Sequence, residues 1–386
     1  MNSLSAAPPL TLPLNLPLNL NQIEAGLRSH LQTRQLYTEK DTLSLLAHGE
    51  ANAIFRLSSD RLVRVAVNTP NQRFQGDFSR VTAFEEEILR YLKGSKIGHR
   101  LLDVQLTADQ DFPYTYLVTN YIAGEPLNYG RQHLQLCANT LARLHRLPLR
   151  SGYENPAARL VPPLHRVSRP LTLFFEEAQS YAQPYFDFPQ ADAEIVAMLK
   201  SVLLKARSRL SAEQLLIDYP YECLVHSDHT YDNWVVDDQQ SEAQAFLIDW
   251  EWAEVGSPAG DLGHFLSPIT ICRRQGYQMP DKDKQFFLEA YYSALENAEL
   301  AQKIRMHFAA FGAFPALRSL CWTAGYWVTA RRWYADSSAE GATENAAENA
   351  AENNSAAERI ARQQSSQQAF PQMWAEVMAL LEKPLP

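Results

Sequence analysis

The chain has 386 residues, 46% of them hydrophobic and 20% charged, which describes a soluble globular protein of two domains or two lobes with a sizeable core. Its formal net charge of −9 argues against a nucleic-acid surface, although a local group of cations can still hold a phosphate on an acidic protein. Cys137, Cys223, Cys272 and Cys321 are scattered and form no C-x-x-C pair, which argues against a zinc site or a disulfide framework and for buried thiols in a reducing cytosol.

Residues 1–21 carry the short repeat LPLNLPLNLN. No basic start precedes its leucines and prolines interrupt them, so a disordered tail is expected rather than a signal peptide. No apolar run of about 18 residues occurs, so no membrane span is expected. NQIEAGLRSHLQ then spaces Ile23, Leu27 and Leu31 along one helical face. Two β-like runs follow, TLSLLAHGEANAIFRLSS and RLVRVAV, with SSD turning between them. FSRVTAFEEEILRYLKG reads as a helix with Phe84, Ile88 and Leu92 on one side and Gly94 near its end. HRLLDVQLT and YTYLVTNYI are the next strands, which closes a small α+β lobe over residues 22–121.

AGEPL interrupts the strands, and from residue 131 helices dominate, beginning with RQHLQLCANTLARLHRL. A proline-rich connector is expected over 150–170, and helices again over about 172–215 and from about 283. Two short strand-like runs, CLVHSDHTYDNWVV and AFLIDWEWAEV, sit inside this half, which extends over 122–386. Ser337–Gln368 repeats E-N-A-A, lacks large apolar residues and is read as a low-complexity insertion without chemistry.

The polar loop between the apolar runs raises two chemical readings. His226, Asp228, His229 and Asp232 could form a zinc cluster, but neither an H-E-x-x-H helix nor a cysteine pair supports it. Phosphoryl transfer needs a carboxylate to orient and deprotonate a hydroxyl, and hard oxygen ligands for Mg²⁺ beside the phosphates. Asp228 can supply the first, while Asn233 and Asp249, at the end of an apolar strand, can supply the second.

His226-Ser-Asp-His-Thr-Tyr-Asp-Asn233 with Ile248-Asp-Trp-Glu251 resembles the catalytic and metal-binding motifs of the aminoglycoside phosphotransferase and choline kinase family. The resemblance implies an α+β, bilobal protein-kinase-like fold, with a small β-rich nucleotide-binding lobe and a larger, mostly helical C-terminal lobe. It implies transfer of the γ-phosphoryl group of ATP to a hydroxyl of a small molecule. Asp228 would be the catalytic base, and Asn233 and Asp249 the Mg²⁺ ligands. In HGEANAIFRL, Gly49 and Asn52 resemble the nucleotide-covering turn, and Arg64 takes the place of the family's phosphate-facing Lys or Arg. Its carboxylate partner is expected at Glu85, with Glu86 a close competitor. YLVTNYIAGEPL resembles the hinge that binds adenine, and CANTLARLH the helix leading into the catalytic lobe. Asp261 resembles a structural aspartate that braces the loop.

The sequence departs from the family's H-G-D-L-H-x-x-N pattern at Ser227, His229, Tyr231 and Asp232. His229 and Tyr231 either contact substrate or tighten the loop. Tryptophans and tyrosines over 317–334, with Trp250 or Trp252, suggest a cationic amino alcohol or an aminoglycoside-like acceptor, held by cation–π attraction; their alternative is helix-packing core. The other reading of the whole chain is a catalytically weak, nucleotide-binding regulatory protein of the same fold. A cytoplasmic location is expected.

Overall fold

A computed structural model of the chain describes residues 19–49, 51–69, 72–74, 76–149, 165–239, 242–274, 276–340 and 366–385. Most of the expected tail, of the proline-rich connector and of the E-N-A-A segment lies outside these residues. Of their described margins, 20–21, Pro170, 337–340 and 366–368 are helical, while 165–169 are irregular and carry one isolated bridge from Arg166 to Val255. The first helix, α1 (Leu20–Thr33), begins inside the expected tail because the Asn19 side chain caps it by accepting the Gln22 N–H.

Along the chain follow β1 (Leu43–His48), β2 (Asn52–Leu57), β3 (Arg61–Ala66), α2 (Phe78–Tyr91), β4 (Leu101–Gln105), β5 (Tyr116–Asn120) and the two-residue β6 (Glu125–Pro126). Then come α3 (Arg131–Arg146), α4 (Pro170–Phe186), α5 (Ala193–Arg207), α6 (Glu213–Asp218), β7 (Cys223–Val225), β8 (Trp234–Asp237), β9 (Gln244–Leu247) and β10 (Glu254–Gly256). The remainder is α7 (Pro258–Phe265), α8 (Pro268–Cys272), α9 (Asp281–Ala294), α10 (Ala298–Phe311), α11 (Phe314–Glu340) and α12 over 366–382.

The chain forms two compact units. The first comprises Met1–Arg143, Pro148–His165 and Asp232–Ala253. Its main sheet is antiparallel in the order β1-β2-β3-β5-β4. Ile23, Leu27 and Leu31 of α1 meet Phe55, Val63 and Val65 of that sheet in one buried cluster. Each such side chain contributes about 1.5–3 kcal/mol when fully buried, enough to fix which face of the sheet is inward. α2 lies against β3, β4 and β5. A second sheet, β6-β8-β9, brings the 232–253 segment back into this unit. β6 went unforeseen because AGEPL carries turn residues. Gly124 at φ +151° permits the pairing: a Cβ there would stand 2.6 Å from the Val236 carbonyl oxygen.

The second unit comprises Leu144–Leu147, Arg166–Tyr231 and Glu254–Pro386. It is mostly helical, built on Phe174, Leu199, Phe311, Phe314, Leu317 and Leu320, with Phe370, Val377 and Leu381 of α12 closing the same core. Its only sheet among the described residues is the antiparallel pair β7–β10. The two strand-like runs of the sequence therefore do not pair as two simple strands. β7 pairs with β10 while β8 pairs with β6 and β9, and AFLIDWEWAEV breaks in its middle, where Asp249 adopts φ +66°.

Candidate active site

In the first unit, β3 and α2 hold one cation between carboxylates. Arg64 is 6% exposed, and its Nη2 donates to Glu85 Oε1 at 3.1 Å and to Asp249 Oδ1 at 2.9 Å. Glu85 Oε1 also accepts the Trp250 N–H at 3.0 Å. Burial alone would lower the Arg64 pKa, yet the Glu85 and Asp249 carboxylates hold it above its ordinary value. Burial pushes Glu85 up, against the pull of Arg64. The competitor Glu86 turns to Arg90 instead, at 2.6 Å. Side chains one position apart on a helix diverge by about 100°, so only one of the two can face β3.

Asn233 and Asp249 come together through strand pairing. β8 and β9 run antiparallel with Trp234 opposite Leu247, and the Ile248 N–H donates to the Asn233 carbonyl at 3.0 Å. Both residues thus stand at the same end of one ladder. The left-handed backbone at Asp249 ends β9 and aims its carboxylate at Arg64; aspartate tolerates this conformation better than most residues. One carboxylate oxygen meets the guanidinium, and the side chain is 35% exposed. An oxygen-only pair of ligands suits Mg²⁺, which takes one or two protein groups together with phosphates. It does not suit zinc. Among the described residues, no group of three or more His, Cys, Asp or Glu is arranged to hold a metal ion.

Gly49 and Asn52 close the β1–β2 turn, the Gly49 N–H donating to the Asn52 carbonyl at 2.9 Å. Asn52 pairs with Ala66 and Ile54 with Arg64, so the turn stands one pleat repeat along from the cation. Gly49 needs no special conformation: a Cβ there would meet nothing closer than 3.9 Å. The hinge-like Tyr116–Asn120 is β5, paired directly to β3. His99 lies near the same cation. Burial, reinforced by Arg64, lowers its pKa to about 4, although its Nδ1 lies 2.9 Å from the Asn120 carbonyl.

In the second unit the organising charge is negative. Asp261 is fully buried at the start of α7. Its Oδ2 accepts the His226 N–H at 3.0 Å, and its Oδ1 accepts the Ser227 N–H at 2.9 Å. His145 Nε2 donates to Oδ2 at 3.0 Å, and His229 Nε2 lies 3.0 Å from Oδ1. Burial would raise this carboxyl, but the two imidazoles hold it well below the usual carboxylate range. Because Nε2 of His145 faces a carboxylate, its Nδ1 is the acceptor, and it takes the Tyr291 hydroxyl at 2.8 Å.

This bracing shapes the loop that carries Asp228. Ser227 sits at φ +67°, a conformation glycine adopts without strain, which accounts physically for the glycine that the resemblance expects there. Ser227 Oγ compensates by donating to Glu254 Oε1 at 3.1 Å. The Asp228 N–H donates to His226 Nδ1 at 3.3 Å, while the Asp228 side chain is 28% exposed. His229 is fully buried on Asp261, so of the two uses weighed for it the loop-tightening one holds; Tyr231 is half-buried.

The remaining aromatic candidates divide. Trp250 is 1% exposed and offers no face to a ligand, and Trp327 is core. Trp322 and Tyr326 are exposed and stack on one another at 4.9 Å, with the Arg273 guanidinium 5.3 Å from the Trp322 ring centre. Glu251, at the end of the second motif, is buried and adds to the negative field on Arg64.

The family model described as the phosphotransferase enzyme family matches residues 42–296, a span that holds every residue of both charge clusters. The chain belongs to the phosphotransferase enzyme family. No curated protein sequence matches it significantly. Solved structures share its fold at low identity. A Plasmodium vivax ethanolamine kinase aligns with a TM-score of 0.55 and 14% identity, over 79% of this chain and 83% of its own. A putative aminoglycoside phosphotransferase from Ralstonia eutropha aligns at 0.53 and 12%, over 92% and 98%. The GDP complex of an aminoglycoside 2'-phosphotransferase-IIIa aligns at 0.50 and 14%, over 93% and 97%. The phosphotransferase-family chain thus has the protein-kinase-like fold, with a small antiparallel N-terminal lobe and a mostly helical remainder. No helix among its described residues is long and apolar enough to cross a membrane.

Three residues of the second cluster escaped the sequence reading: His145, His264 and Tyr291. Their partners lie 116, 36 and 146 residues away, so no local spacing marks them.

Proposed function

We propose that this phosphotransferase-family protein transfers the γ-phosphoryl group of ATP to a hydroxyl of a small molecule. The observation that carries the reading is the Arg64–Glu85–Asp249 ion-paired set beside Asn233, in a chain whose family match spans it. Residues 22–121 would be the nucleotide-binding lobe and 122–386 the catalytic and acceptor lobe. Gly49 and Asn52 cover the nucleotide. Arg64, oriented by Glu85, neutralises phosphate charge as a planar fork. Asp249 and Asn233 would hold Mg²⁺, which supplies charge neutralisation on the phosphates. Asp228 orients the acceptor hydroxyl and takes its proton as the oxygen attacks the γ-phosphorus. The bond from that phosphorus to the β–γ bridging oxygen breaks, releasing ADP and the phosphate ester.

For the acceptor we propose a cationic amino alcohol or an aminoglycoside-like compound. The exposed Trp322–Tyr326 stack supports this class, since aromatic faces attract ammonium groups and Trp322 already attracts a guanidinium. The names of the fold neighbours, an ethanolamine kinase and aminoglycoside phosphotransferases, agree with it. The test is a transfer screen with Mg²⁺ and radiolabelled ATP or GTP over ethanolamine, choline, homoserine, thiamine, sugars and aminoglycosides. Label in one acceptor supports the reading. Nucleotide binding without transfer to any acceptor or to water points instead to a regulatory protein of this fold.

A further inference from the structure

His264, on α7, faces the loop carboxylate that the proposed reaction uses. Its Nδ1 accepts the His229 N–H at 3.0 Å, so the proton of a neutral ring can sit only on Nε2. That Nε2 lies 3.8 Å from Asp228 Oδ1. We propose that His264 is a neutral, tautomer-locked Nε2–H donor that holds one oxygen of Asp228 and leaves the other for the acceptor hydroxyl. The inference rests on the proposed function and makes His264 a positioning residue within it.

The surroundings fit that role. The residue is 8% exposed, and the charged and titratable groups that act on it are His229, Asp261, Arg273 and Arg318, with Asp228 at its Nε2. Burial first, and then the positive field of His229, Arg318 and Arg273, hold His264 well below its ordinary value. A neutral ring donates without adding a full positive charge beside the base, whose proton affinity the reaction needs. The backbone fixes the ring from the other side. His229 is pinned to Asp261, so the N–H that selects the tautomer cannot drift. The 3.8 Å gap is longer than a hydrogen bond, and the proposed role requires it to close when substrate binds, as catalytic hydrogen bonds that are long in the free enzyme often do.

Two substitutions separate anchoring from donation. H264N keeps an acceptor for the His229 N–H but removes the donor toward Asp228, whereas H264Q keeps a donor near the Nε2 position. ADP formation from MgATP, measured with the acceptor panel, should fall about tenfold in kcat for H264N, with KM for ATP unchanged. H264Q should stay within about threefold of wild type. The acid limb of the H264N rate profile should move to higher pH, because a donor that favours the ionised carboxylate is gone. Nitrogen NMR of the histidine rings should give the neutral Nε2–H form of His264 from pH 8 down to 5. Equal losses in both variants with unshifted pH profiles, or an Nδ1–H tautomer in active protein, overturn the inference alone. Wild-type protein that forms no ADP while keeping the Nε2–H tautomer overturns the proposed function, and the positioning role with it.

Discussion

The two units solve opposite electrostatic problems. The first buries a cation, Arg64, and gives it two carboxylates, one of which stays partly exposed to solvent. The second buries an anion, Asp261, and surrounds it with two backbone N–H groups and two imidazoles, with none of its surface exposed. Histidine reports the contrast. Beside the buried cation, His99 is driven to about 4 by burial and by Arg64. Beside the buried anion, burial also lowers His145, but Asp261 opposes it. An arrangement open on one side suits binding a ligand's charge. A closed one suits holding backbone in a strained shape, here the left-handed turn at Ser227.

The contrast breaks most visibly at Asp261. D261N keeps the volume but removes a charge that satisfies donors from two elements, and it should cost about 3–5 kcal/mol in urea denaturation. A loss below about 1 kcal/mol would mean that the anion is not what braces the loop. The next largest effect is pH-dependent. His99 binds its proton more weakly folded than unfolded, so its contribution is complete above about pH 6.5 and is lost as pH falls toward 4. That window corresponds to about 3 kcal/mol, and stability of H99Q should fall less steeply across it than wild type. Matching slopes would contradict the assignment. E85Q should then cost about 2 kcal/mol, because Asp249 still partners the stranded cation. E86Q, which loses only a pair with the exposed Arg90, should change stability by less than about 0.5 kcal/mol.

Legibility followed the range of the interactions. Amphipathic spacing located α1 and α2, since Ile23, Leu27, Leu31, Phe84 and Ile88 are buried as their periodicity implied. The choice of Glu85 over Glu86 followed from helical phase. Position 227 was marked as a departure from a pattern, but its left-handed backbone is a property of the fold that the pattern only hints at. β6 and β10 were hidden, one by turn residues and one behind the break at Asp249, because two- and three-residue strands are made by their partners rather than by their own composition. The His145–Asp261 contact and the approach of His264 to Asp228 join distant segments, and one sequence contains no term that links them. The aromatic reading was half legible: spacing put Trp327 and Trp322 on one helix, but only packing sorted one into the core and the other to the surface.

The central claim is that the open cluster serves phosphoryl transfer while the closed one serves the loop. It is tested most directly by D249A, assayed for nucleotide-dependent transfer and for stability in the same preparation. The account predicts that turnover falls at least about a thousandfold while stability shifts by no more than about 2 kcal/mol, most of it the cost of alanine in the left-handed backbone at position 249, since Asp249 is partly exposed and Glu85 still holds Arg64. A D249A protein that turns over nucleotide at the wild-type rate would contradict it.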